Sequence, residues 1–208
     1  MKKILFIVMF FLSLIVLVSQ TNAQCPTGYT PRQINMIVND CPYQVDLCVK
    51  CSVLGMLFES VNVTGFMQIP LVDPCIQTLT AKEVLKYIEL YVLSPDYYYT
   101  HLCENPQGVP PCPGQSQEIE VKYWSCWKVE LVEYFGMQAL YYRICGDAYC
   151  IERDTYCFDP VTNENKKTKT YGPLQVGVPS CSIEPDEVTF PTQVGQISDC
   201  FILHNACY

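Results

Sequence analysis

The chain has almost no histidine, and beyond its first residues it has no long apolar run. Each shortage removes a class of function. Only His101 and His204 occur among 208 residues. Histidine is the common base beside a catalytic serine or cysteine, and the usual nitrogen ligand of zinc. Ser-His-Asp catalysis, Cys-His catalysis and a structural zinc site therefore have little to be built from. No Gly-x-Ser-x-Gly elbow occurs either. The segment Asp159–Asn165 has the composition of a calcium loop, but not its alternating oxygens or turn glycine. No metal and no cofactor is expected. Positive charge is scarce too: 13 Lys and Arg stand against 21 Asp and Glu. Nucleic acid and anionic membrane both need a positive field, so neither is expected as a partner.

The first residues are the exception to the second shortage. After Lys2 and Lys3, Ile4 to Val18 is apolar except for Ser13. Those 15 residues suit a signal-peptide core and are too short to cross a hydrocarbon layer of about 30 Å. Thr21 and Ala23 are the small residues that a signal peptidase inspects. The expectation is a signal peptide over 1–23 and a mature chain, 24–208, without a transmembrane anchor. Lipid attachment at Cys25 is disfavoured, because Gln24 precedes it. The mature chain keeps 11 of the basic residues and all 21 acidic ones, a net charge of −10.

What the chain has in excess is cysteine. All 14 cysteines follow the leader. An even count on an exported chain implies a disulfide framework, each bridge contributing about 2–4 kcal/mol. The protein is expected to be secreted, extracellular or periplasmic. Spacing alone does not give the pairing.

Periodicity predicts a mainly β, disulfide-stapled fold of hairpin and meander sheets, with a sandwich among the arrangements open to it. Ile34, Met36 and Val38 alternate before Asp40-Cys41-Pro42, and Tyr43, Val45, Leu47 and Val49 after it, as in a hairpin. A strand is expected over 60–71, with Gly65 as a bulge and Pro70 as a stop. The capping box Thr80-Ala-Lys-Glu83 opens one amphipathic helix, 81–93, with Val84, Leu85, Ile88, Tyr91 and Val92 at helical spacing. The Pro/Gly-rich stretch 104–117 reads as a tied-down loop, and it could join two lobes, 24–103 and 118–208. Residues 119–131 echo the first hairpin. Gly146-Asp147 is placed at a hairpin tip, 164–170 in an exposed loop, and a last strand near 201–203.

Three groups of residues could carry chemistry or binding. Cys48-Val-Lys-Cys51 between a strand and an apolar stretch has the layout of a thiol-disulfide oxidoreductase, with Ile69-Pro70 as the facing proline. Two framework cysteines three apart look the same. Paired carboxylates (Glu118/Glu120, Glu130/Glu133, Glu152/Asp154, and Glu184 with Asp186 and Glu187) could serve a small secreted hydrolase if two of them flanked a cleft. On alternating strands they are solvated acids by default. The aromatic run Tyr97, Tyr98 and Tyr99 could form a patch that binds an extracellular protein or a glycan. Asn62-Val-Thr64 is a glycosylation sequon. Taken together, the residues favour an exported, non-catalytic binding or structural module over either enzyme.

Overall fold

In the computed structural model the described residues are 25–51, 58–71, 75–92, 94, 97, 102–103, 109–114 and 116–203. The expected leader, 1–23, lies outside them, as do both histidines and Cys207.

The fold starts from a hairpin. β1 (Thr30–Val38) and β2 (Cys41–Lys50) pair antiparallel from Val38↔Cys41 to Thr30↔Val49. Their two-residue connection, Asn39-Asp40, holds both residues in the left-handed region, at φ 50° and 64°. Such a turn twists in the same sense as the strands, and Asn and Asp tolerate it best after glycine. β3 (Phe58–Gln68) lies antiparallel on the other edge of β2. The register passes from Asp46↔Gly65 to Leu47↔Val63, so Thr64 is the extra residue of a bulge, and its hydroxyl donates to the Asp46 carbonyl at 3.1 Å.

β3 is where the sheet forks. Away from β2, residues 58–62 pair parallel with β4 (Gln117–Trp124) and residues 65–67 pair antiparallel with β6 (Met137–Ile144). β4 runs on through Ser125 into β5 (Cys126–Tyr134), yet the two take different partners. β4 pairs with β7 (Tyr149–Asp159), which carries β8 (Glu164–Val176). β5 pairs with β6 and with β9 (Phe201–Ile202). Strands from both halves of the chain thus share one sheet. Its covered face holds Val45, Leu47, Val61, Phe66, Trp127 and Val129, against Val84, Leu85, Ile88 and Val92 of the helix α1 (Ala81–Val92). The Phe66 ring stacks on Tyr142 at 4.8 Å and meets Trp127 edge-on at 5.6 Å. At the start of α1 the Thr80 amide donates to the Glu83 carboxylate at 2.8 Å and the Glu83 amide returns to Thr80 Oγ1 at 3.3 Å, so the capping box is closed.

Three expectations are corrected. Residues 119–131 do not repeat the first hairpin, because β4 and β5 diverge at Ser125. The Ser125 amide bonds the Ala148 carbonyl and the Cys145 amide bonds Cys126, so the chain turns a corner there. Gly146, at φ 82°, serves that same corner and not a hairpin tip, since β6 and β7 do not pair. Residues 164–170 are not a loop. They open β8, an edge strand whose lysines reach back to β7: Lys166 pairs with Asp159 and Lys167 with Asp154.

Six disulfides have both ends among the described residues: Cys25–Cys48, Cys41–Cys75, Cys51–Cys103, Cys112–Cys157, Cys126–Cys181 and Cys145–Cys200. Cys150 is bonded as well. The stretch before β4 is tied down as its composition suggests: besides the bridge to Cys157, the Cys112 amide donates to Phe158 at 2.7 Å and Phe158 to Pro110 at 2.8 Å. No described helix is long and apolar enough to cross a membrane.

Candidate ligand cleft

Pro70 stops β3, and the chain must return across the covered face of the sheet to reach α1. That return leaves a cleft of about 530 Å³. Its floor is Phe66 and Tyr142, one wall is Met137 to Leu140 of β6, and the roof is Ala81 and Val84 of α1. The opposite wall is the returning segment itself, with Pro70, Leu71, Cys75, Gln77 and Leu79.

Two devices hold that wall. The Cys41–Cys75 bridge ties it to the start of β2. Gln77 then uses its whole amide: Nε2 donates to the Val38 carbonyl and the Tyr43 hydroxyl, both at 3.2 Å, while Oε1 accepts from the Leu79 amide at 2.9 Å and from Asn39 at 3.2 Å. Gln68 Nε2 donates to the Cys75 carbonyl at 3.0 Å. The polar groups of Gln68, Gln77 and Tyr43 are therefore consumed in building it, and among the described residues no charged side chain lines it. Burial pushes the Tyr142 phenol up to about 12, with a smaller contribution from Tyr43. Burial raises Tyr43 also, against the bond from Gln77. Both hydroxyls stay neutral at physiological pH. At the mouth, Leu71 is 46% exposed, and Ile76 in the same segment is 84% exposed.

Of the described candidates drawn from the sequence, Pro70 alone lines the cleft. Cys48 and Cys51 are not bonded to each other; their partners are Cys25 and Cys103, so the redox motif is split between two framework bridges. Pro70, considered as the proline facing that motif, lines the cleft instead. Tyr97 is half-buried against the core, with its ring 4.5 Å from Tyr91. Tyr98 and Tyr99 lie outside the described residues. None of the paired carboxylates lines the cleft. Glu118 and Glu120 face Arg153, Glu130 meets Arg143 at 2.9 Å, and Glu133, Glu184, Asp186 and Glu187 are exposed. Glu152 and Asp154 sit on β7, where Asp154 holds Lys167. Asn62 of the sequon is 1% exposed in the middle of β3, which leaves no room for a glycan. Among the described residues no cluster could hold a metal ion.

No family model, curated protein or solved structure matches the chain. The cleft thus stands on its own chemistry.

Proposed function

We propose that the protein is an exported, non-catalytic binding module that takes a neutral, mainly apolar ligand in the cleft between β6 and the 68–81 segment. The observation that carries this reading is the lining: aromatic and aliphatic walls, no charge among the described residues, and the Gln68 and Gln77 amides already committed to the wall. Ligand pockets of this kind run to about 300–1,000 Å³ and use a few polar groups to orient a mostly apolar guest. The disulfides support the exported setting, since such bridges persist in oxidising compartments. Redox chemistry at Cys48 and Cys51 finds no support in a framework that bonds each to a distant partner. Hydrolysis by paired carboxylates finds none either, since none of those pairs lines the cleft.

The test is binding of an uncharged fluorescent naphthylamine, compared between the protein and Leu140→Trp, which fills the cleft from the β6 wall. Saturable one-to-one binding that the substitution abolishes, at an unchanged melting temperature, is the expected result. Absent binding, or equal binding by the variant, overturns the reading.

A further inference from the structure

The sheet has two long outer strands, and they are built differently. β8 carries Lys166, Lys167, Lys169 and Pro173, and its ladder with β7 is interrupted twice, between Ile151 and Arg153 and between Arg153 and Asp154. Lysines, prolines and irregularities are the usual means of keeping a sheet edge from pairing with another chain. β1 is the opposite case. Its nine residues run without a bulge, its one charge is Arg32, and among the described residues nothing pairs with its outer edge. Apolar surface is left open along it as well. Ile34 and Met36, on the covered face, are only partly buried, and Ile37 is 71% exposed.

The turn decides which backbone groups point outward. A two-residue connection makes its flanking residues, Val38 and Cys41, a pair that exchanges both hydrogen bonds. Even-numbered residues of β1 then bond β2, and the N–H and C=O of Gln33, Asn35 and Ile37 face solvent. Pro31 shares their parity but has no N–H to offer. We infer that β1 pairs antiparallel with β1 of a second copy, about a twofold axis at Asn35. In that register Asn35 meets Asn35, Gln33 meets Ile37, and every outward N–H of the two strands finds an outward carbonyl. A shift to Ile34 at the axis sets Ile37 against Pro31 and leaves an amide carbonyl without its donor. The same register sets Ile34 beside Met36 across the axis, covering what each leaves open. It also sets Arg32 against Val38, so no like charges meet. β8 could not self-pair so cleanly, because its lysines would be brought together.

Sedimentation and light scattering on the purified, oxidised protein over a wide concentration range test this. The expected result is a dimer that dissociates on dilution. Asn35→Pro, which removes the axial N–H at a site where an edge strand tolerates proline, is expected to be monomeric with the fold and the bridges retained. A protein that is monomeric throughout, or a dimer untouched by Asn35→Pro, overturns the inference. Should the variant not fold, hydrogen exchange of the unaltered protein decides. The Gln33, Asn35 and Ile37 amides should slow as the dimer forms, and unchanged exchange at concentrations where the dimer is present refutes the pairing.

Discussion

At the level of single residues, Gly65 shows why side chains on the uncovered face of the sheet matter. A Cβ there would lie 2.5 Å from the Tyr141 hydroxyl, so the bare backbone is what lets that ring cross β3. The hydroxyl then donates to Asp46 Oδ2 at 2.6 Å, and Gln33 donates to Oδ1 at 2.8 Å. Burial, then the Asp46 charge, holds the Tyr141 phenol far above its usual range. Tyr123 is raised in the same way by burial and by Glu89. On the cleft floor, Tyr142 goes from 10.0 to about 12. In all three the folded state prefers the neutral phenol. Their contribution to stability is therefore complete below pH 10 and is lost as pH rises; for Tyr142 the loss runs from 10 to about 12. A phenolate absorbance titration of the folded protein is expected to show only part of the 15 tyrosines ionising near pH 10, the remainder following at higher pH or on unfolding. A single step near pH 10 for all of them, with the fold intact, would contradict that.

Among elements, the helix is the one whose limits follow from local chemistry. Thr80 and Glu83 satisfy two otherwise orphaned amides at its start, and Thr80→Ala is expected to cost about 1 kcal/mol, read as a lower denaturant midpoint with an unchanged slope. Its buried positions Val84, Leu85, Ile88 and Val92 are those that helical spacing picks out, whereas Tyr91 in the same apolar series is 45% exposed. The first hairpin was as legible, because its two alternating runs are contiguous; its turn is Asn39-Asp40, while Cys41 and Pro42, read as part of the turn, already belong to β2. Residues 119–131 misled for a physical reason. Alternation reports that a stretch is extended and one-sided; it says nothing about which strand lies beside it. Ile119 to Tyr123 and Trp127 to Leu131 do alternate, but what separates them is a corner stitched by Ser125–Ala148 and Cys126–Cys145 contacts, each more than eighteen residues apart in the chain. β8 was hidden by its lysines, which read as a loop and are in fact the protection of an edge. The cleft was out of reach altogether, since Phe66, Leu79 and Leu140 meet only after the sheet has forked.

For the molecule as a whole, the cysteines divide more simply than their number suggests. Three bridges have both ends at or before Cys103, and three have both ends at or after Cys112; none of the six joins the two groups. What remains of the 14 is Cys150, which is bonded, and Cys207, which lies outside the described residues. Peptide mapping without reductant is expected to recover the six pairs, to link Cys150 with Cys207, and to find no thiol open to alkylation. A Cys48–Cys51 peptide would instead revive the redox motif. What unites the halves is the ladder of β3 with β4 and β6, and the core beneath it.

The fork at β3 also imposes an order in time. A ribosome delivers residues 58–68 long before 117–144, so β3 is made with β2 beside it and its other flank bare. The early bridges, Cys25–Cys48 and Cys41–Cys75, can close during that wait, holding β1, β2 and the cleft wall as a half-built template. The late strands then arrive as guests at an edge already waiting. The newborn chain thus passes through an interval in which one flank of its central strand has not yet met its partners.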